Sequence, residues 1–189
     1  FVARYTGMDL FEQPYGAEGG YVGDSWELHA AGFVHDPIVD VGRRESGGVL
    51  YAEVHQETWA IGVQGRYGTG DEGTRELAGL TGRLSGPGHL VLLGEVDVIH
   101  DQIAGSIAVN RGVGLLGVDE RIAQGVSLFG WYEQYQEELG LRSALHQGAG
   151  LALKIYPRAH WELLTEGEIQ HVGPVGNVGL AMFQVHYYL

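Results

Sequence analysis

The segment Gly179-Leu180-Ala181-Met182-Phe183-Gln184-Val185-His186-Tyr187-Tyr188-Leu189 decides the reading of this chain. Every second residue from Gly179 gives Ala181, Phe183, Val185, Tyr187 and Leu189, an apolar set. The residues between them are Leu180, Met182, Gln184, His186 and Tyr188, and polar groups enter there. Side chains of a strand alternate between the two faces of a sheet. The segment therefore reads as a β-strand with one apolar face and one face that tolerates polar groups.

The same period recurs upstream. In 160–171, Trp161, Leu163, Thr165, Gly167 and Ile169 oppose Glu162, Leu164, Glu166, Glu168 and Gln170. In 143–156, Leu145, Ala149, Leu151, Leu153 and Ile155 oppose His146, Gly148, Gly150 and Lys154. In 89–100, Leu90, Leu92, Val96 and Val98 oppose Glu95 and Asp97; in 58–69, Trp59, Ile61, Val63 and Tyr67 oppose Gln64 and Arg66. In 24–36, Trp26, Leu28, Ala30 and Val34 oppose Glu27, His29 and His35. Helical periodicity is poor, because glycine interrupts most windows. Taken together, the pattern predicts about eleven strands, near 1–9, 24–36, 47–55, 58–69, 74–85, 89–100, 107–119, 125–136, 143–156, 160–171 and 177–189. Tight connections are expected at Gln56-Glu57, 85–88, 121–124 and 157–159, and longer ones at 36–46, 69–73, 101–106 and 137–142. The segment 10–23 reads as a further long connection.

Composition supports ordered all-β structure and removes several functions. Glycine supplies 32 residues, well above an average usage of roughly 7%, and with only 5 prolines this suits many strands and turns. There is no cysteine, so a disulfide-stapled domain and a thiolate metal site are excluded. The net charge is −13 and Lys154 is the single lysine, which argues against nucleic acid as a partner. No run of about 20 apolar residues exists, but a strand crosses a bilayer with about 9–11 alternating residues. The chain opens at Phe1 within a strand-like pattern and without methionine, which reads as a processed or truncated N-terminus.

Three features favour a membrane barrel over a soluble one. The expected strands run to ten residues or more, against about 5–6 in soluble sheets, long enough to cross hydrocarbon when tilted. One face carries too many charges for a closed core. Aromatic residues of the apolar face, Trp26, Trp59, Tyr67, Trp161 and Tyr187, fall near strand ends, where Trp and Tyr form membrane-interface girdles.

The C-terminal pattern Phe183-x-Val185-x-Tyr187-x-Leu189, with Gly179 upstream, resembles the terminal strand signal of Gram-negative outer-membrane β-barrel proteins, which the barrel-assembly machinery reads. That family usually ends in phenylalanine, and Leu189 stands there instead. The wider pattern of strands and unequal connections is porin-like. The resemblance implies a single antiparallel up-and-down transmembrane β-barrel over 1–189. It would have about twelve strands, since bacterial barrels carry even numbers, with one or more strands expected before Phe1. It also implies an outer-membrane location and the lipid bilayer and assembly machinery as partners, with another outer-membrane or periplasmic protein as a further candidate.

The register places Glu27, Glu53, Glu95, Asp97, Glu162, Glu166 and Glu168 in the lumen with Arg66, Arg75, Arg83 and Lys154. The arginines fall on two neighbouring strands and three glutamates on a distant one. Opposed acidic and basic walls would set ion selectivity, as rings of charge do in channels; lumen charge with no selectivity role is the plainer alternative. The acid surplus suggests cation preference. A barrel of about twelve strands is narrower than the 16–18-stranded porins that leave an aqueous channel, so side chains could nearly fill it.

The expected function is a conduit for small polar solutes or ions, or a sheath for a partner, with no enzyme activity and no cofactor. Two alternatives compete. His35-Asp36, His100-Asp101 and His171 sit near the long-connection rim, where outer-membrane proteases of the omptin type place Asp and His; such a site would use an Asp-oriented His as general base. Adjacent strand residues point to opposite faces, however. The second alternative is a soluble barrel binding an apolar ligand, with Leu151, Leu153 and Phe183 facing its interior. His29, His55, His146 and His186 alternate into the lumen, but their spacing argues for no metal site. The glycine-rich pieces Tyr15–Gly20 and Arg111–Gly114 lack a complete phosphate- or dinucleotide-binding motif and read as turn or bend glycine.

Overall fold

The computed structural model describes residues 15–35, 44–141 and 145–188. They form one sheet of eleven strands in consecutive order. The strands are β1 (Tyr15–Val22), β2 (Trp26–Val34), β3 (Glu45–His55), β4 (Trp59–Gly70), β5 (Gly73–Ser85), β6 (Leu90–Ile103), β7 (Val109–Ala123), β8 (Val126–Gln136), β9 (Leu145–Arg158), β10 (Trp161–Val172) and β11 (Gly176–Tyr187). Every neighbouring pair is antiparallel. Among the described residues, β1 and β11 are the sheet edges. The fold is the all-β up-and-down architecture that the period-two pattern predicts.

Two local expectations are corrected. The expected connection 10–23 contains β1, paired with β2 from Tyr15↔Val34 to Val22↔Glu27. Glycines 16, 19 and 20 disguised it, yet Tyr15, Ala17 and Tyr21 alternate as a strand requires. The connection at 69–73 is not long: Gly70 pairs with Gly73 around a two-residue turn, Asp71-Glu72. Gly73 has φ +128 and its backbone lies so close to Gln102 that any side chain would overlap it. Glycine is needed there on both counts. The expected strand at 1–9 lies outside the described residues.

A flat single-layer sheet would expose both faces alike. Here Asp97, Asp101, Glu133, Glu162 and Glu168 are buried, whereas Leu50, Ile61, Val96, Leu116, Ile169 and Phe183 are exposed. The sheet therefore curls towards its polar face. Residues two strands apart meet on that side: Gln64 (β4) reaches Asp97 (β6) at 2.7 Å and Gln170 (β10) reaches Glu133 (β8) at 3.2 Å. Strands two apart lie roughly 10 Å from each other, so these contacts need the curl and a small residue between. Gly79 and Gly148 occupy those intervening positions on β5 and β9.

Candidate functional site

The concave face is the candidate site. At the end bearing the long connections, Glu45 opens β3 and faces the ends of β4 and β5. Arg66 donates to Glu45 at 2.7 Å, and Arg75 lies 3.6 Å from its other oxygen. All three side chains are buried, and the Arg66 guanidinium stacks over Phe33 at 4.9 Å. Gly68 leaves the room that the Glu45 carboxylate occupies. Beside this cluster, Asp101 pairs with Arg111 at 3.1 Å. Leu77, Ile99 and Val113 pack between these ion pairs, with Tyr135 against them.

Two pairs of carboxylates share glutamine donors. Gln64 donates to Glu95 at 3.1 Å and to Asp97 at 2.7 Å. Gln170 donates to Glu133 at 3.2 Å and also to Glu168. Each glutamine spans a glycine, and each pair concentrates negative charge on the concave wall. Glu162 accepts from the Tyr188 hydroxyl at 2.8 Å and lies 3.6 Å from His186.

All nine side chains expected in the lumen, Arg66, Arg75, Arg83, Glu95, Asp97, Lys154, Glu162, Glu166 and Glu168, occupy concave-face positions in the register. They do not form the expected grouping. Arg83 is exposed and stands eight residues along β5 from Arg75, roughly 26 Å away. Arg66 and Arg75 share Glu45 rather than forming a bare basic wall. Glu45, Glu133 and Arg111, which the sequence reading does not single out, complete the charge pattern together with Asp101, which it expects only at the rim. Register alone could have placed Asp101 and Arg111, which are two residues from Ile99 and Val113 on the same faces; Glu45 required the exact strand start.

The histidines do not converge. His29 lies 2.9 Å from Glu18, His55 3.4 Å from Glu53, and His146 3.3 Å from Glu137. At the rim, His100 bonds Asn110 at 2.8 Å and His171 bonds Asn177 at 3.0 Å, both exposed. His35 lies 3.4 Å from Ser46, and Asp36 is outside the described residues. His100 and Asp101 point to opposite faces, so no His–Asp relay joins them.

The convex face is apolar. Trp26, Trp59 and Trp161 begin their strands at the tight-turn end, and Tyr187 pairs with Trp161 there. Tyr21 stacks on Trp26 at 4.8 Å, and Trp161 meets Tyr187 at 5.2 Å. Tyr67 lies near the other end of β4. Phe183, Val185 and Tyr187 of the expected assembly signal point outward from edge strand β11, and Leu189 is outside the described residues. Leu151 and Phe183 are exposed on this face, which removes the soluble barrel with an apolar interior.

No family model and no curated protein matches the sequence. Solved structures do. OmpT, an outer membrane protein of Vibrio cholerae, superposes with a TM-score of 0.72 at 10% identity, over 92% of this chain and 64% of that one. Its loop L8 deletion mutant gives 0.74 at 11% identity, over 92% and 62%. The chain thus spans less than two thirds of their length. The KdgM porin, solved in complex with disordered oligogalacturonate, gives 0.50 at 9% identity over 95% and 94%. The fold is that of bacterial outer-membrane β-barrels. The exposed apolar face is the surface this fold turns to lipid.

Proposed function

We propose that the chain forms the body of a porin-like conduit in the outer membrane of a Gram-negative bacterium, passing small polar solutes or ions, rather than an enzyme. The observation that carries this reading is the concentration of charge on the concave face while the convex face is apolar. Charged side chains are costly to bury without partners, and here they pair or share amide donors around a polar interior. A lumen with this lining is suited to solvated solutes. Acids exceed bases along it: Glu133, Glu162, Glu166 and Glu168 face Lys154 on β8–β10, while Arg66 and Arg75 are offset by Glu45. That balance favours cations and neutral solutes over anions. It differs in sign from what an acidic oligosaccharide, such as the one bound to KdgM, would call for.

The outward strand β11 is the segment the assembly machinery would read, and the bilayer is the partner of the convex face. The test is planar-bilayer recording of the full-length protein, after its band is seen to shift between unheated and boiled samples. Discrete conductance steps with a cation-sided reversal potential are expected. A heat-shifting, bilayer-inserted protein that passes no current would overturn the reading. Hydrolysis lost on His100→Ala would instead restore the rim enzyme.

A further inference from the structure

Phe129 and Trp131 lie two residues apart on the concave face of β8, with ring centroids 5.5 Å apart and planes only 16° from parallel. Glycines on the flanking strands explain why both rings lie down on the sheet. A methyl group at Gly150 of β9 would overlap Trp131 ring atoms Cζ2, Cε2 and Cη2. One at Gly117 of β7 would lie 2.8 Å and 3.0 Å from Phe129 Cε2 and Cζ. The two side chains thus make an aromatic floor over glycine, with their free faces turned to the lumen. They line a cavity of about 600 Å³, together with Asp119, Lys154 and Glu166. That volume is within the range of small-molecule sites, which combine apolar walls with a few polar groups.

We propose that this floor is a binding subsite for neutral sugars, each pyranose ring stacking on Trp131 and Phe129 while its hydroxyls bond Asp119, Glu166 and Lys154. An aromatic face is negative and attracts the positive edge of a C–H-rich ring. Vicinal hydroxyls offer both donors and acceptors, which carboxylates and an ammonium together satisfy. A purely apolar ligand would leave those charges unpaired. An acidic sugar would meet Asp119, Glu133, Glu166 and Glu168 against one lysine. The inference rests on the lumen being open to solutes and names the solute class.

The test uses the intrinsic fluorescence of full-length protein in detergent micelles, with maltohexaose and chitohexaose as neutral probes and hexagalacturonate as the acidic one. Trp26, Trp59 and Trp161 face outward into detergent, so a water-soluble sugar reports on Trp131. Saturable quenching by a neutral probe is expected, and its loss in Trp131→Ala, which removes the reporting indole, locates the signal on this floor. Gly150→Ala, which keeps the indole but lifts it from the sheet, is expected to weaken binding at least about tenfold, or about 1.4 kcal/mol. Quenching by neither neutral probe, preference for hexagalacturonate, or unchanged affinity in Gly150→Ala would overturn the proposal. Conductance without sugar binding would remove this subsite alone, and sugar binding without conductance would remove the conduit alone.

Discussion

Gln64 and Asp97 stand on strands that do not pair, yet the Gln64 amide donates to Asp97 Oδ1 at 2.7 Å across Gly79. Asp97 is 0% exposed, and its Oδ2 has no hydrogen-bond partner among the described residues. The bond from Gln64, the glutamine that also donates to Glu95 two residues away, helps hold this carboxylate in place. The same device recurs at Gln170, Gly148 and Glu133, so curvature and polar satisfaction are coupled: the glycine that lets the sheet curl also opens the path between donor and acceptor.

Gly79→Ala should break this coupling. The added methyl would overlap Asp97 Oδ1 and sit 2.8 Å from the Gln64 side chain. Loss of a bond to a buried charge, with local overpacking, is expected to cost about 1–3 kcal/mol. Gly167→Ala is the control, since nothing lies within 4 Å of its Cβ position. Urea midpoints in micelles measure both; equal midpoints would show that the crossing contributes nothing.

Glu45→Ala should be more damaging. It leaves Arg66 and Arg75 facing each other without the carboxylate they share, all in a buried cluster. Breaking a buried ion pair from one side typically costs about 3–5 kcal/mol. The expected outcome is a lower unfolding midpoint. Arg66→Met with Glu45→Met should recover part of it, because both charges then leave together.

The strand pattern was legible because its cause is local: alternation follows from the pleat, and ten of the expected strands coincide with β2–β11. The parity of Trp26, Trp59, Leu151 and Phe183 was read correctly for the same reason. What escaped depends on distant chain. β1 was hidden because glycines 16, 19 and 20 remove the side chains that display a period. Leu77, Ile99 and Val113 sit on the concave face as an apolar cluster, against the simple rule of one apolar and one polar face. Their burial arises from curl, which no single strand records. Glu45 was outside the expected strand at 47–55, so its meeting with Arg66 and Arg75 could not be read.

The convex face makes its own prediction. Leu151 lies near the middle of β9 and is exposed to the surroundings of the sheet. Arginine placed at the bilayer midplane of a barrel costs about 2–4 kcal/mol. Leu151→Arg should therefore lower stability in lipid vesicles by that amount, whereas Leu151→Phe should be near neutral. Equal stability of the two variants would mean that this face does not meet hydrocarbon.

Selectivity follows from where the charges are left unbalanced. Arg66 and Arg75 share Glu45, Arg111 pairs with Asp101, and Glu95 and Asp97 offset the positive charge left by Arg75 and Arg83, so the β3–β7 wall is largely compensated. The β8–β10 wall keeps Glu133, Glu162, Glu166 and Glu168 against Lys154. Replacing Glu162, Glu166 and Glu168 with glutamine should move the reversal potential in a potassium chloride gradient towards the anion side, while Arg83→Gln should move it the other way. Mobile ions screen such fields within about 10 Å at 0.1 M and about 3 Å at 1 M. The shift should therefore be large in dilute salt and shrink in concentrated salt. A shift independent of salt would point to a change of pore shape, and no shift at either concentration would mean that these carboxylates do not face the path of the ions.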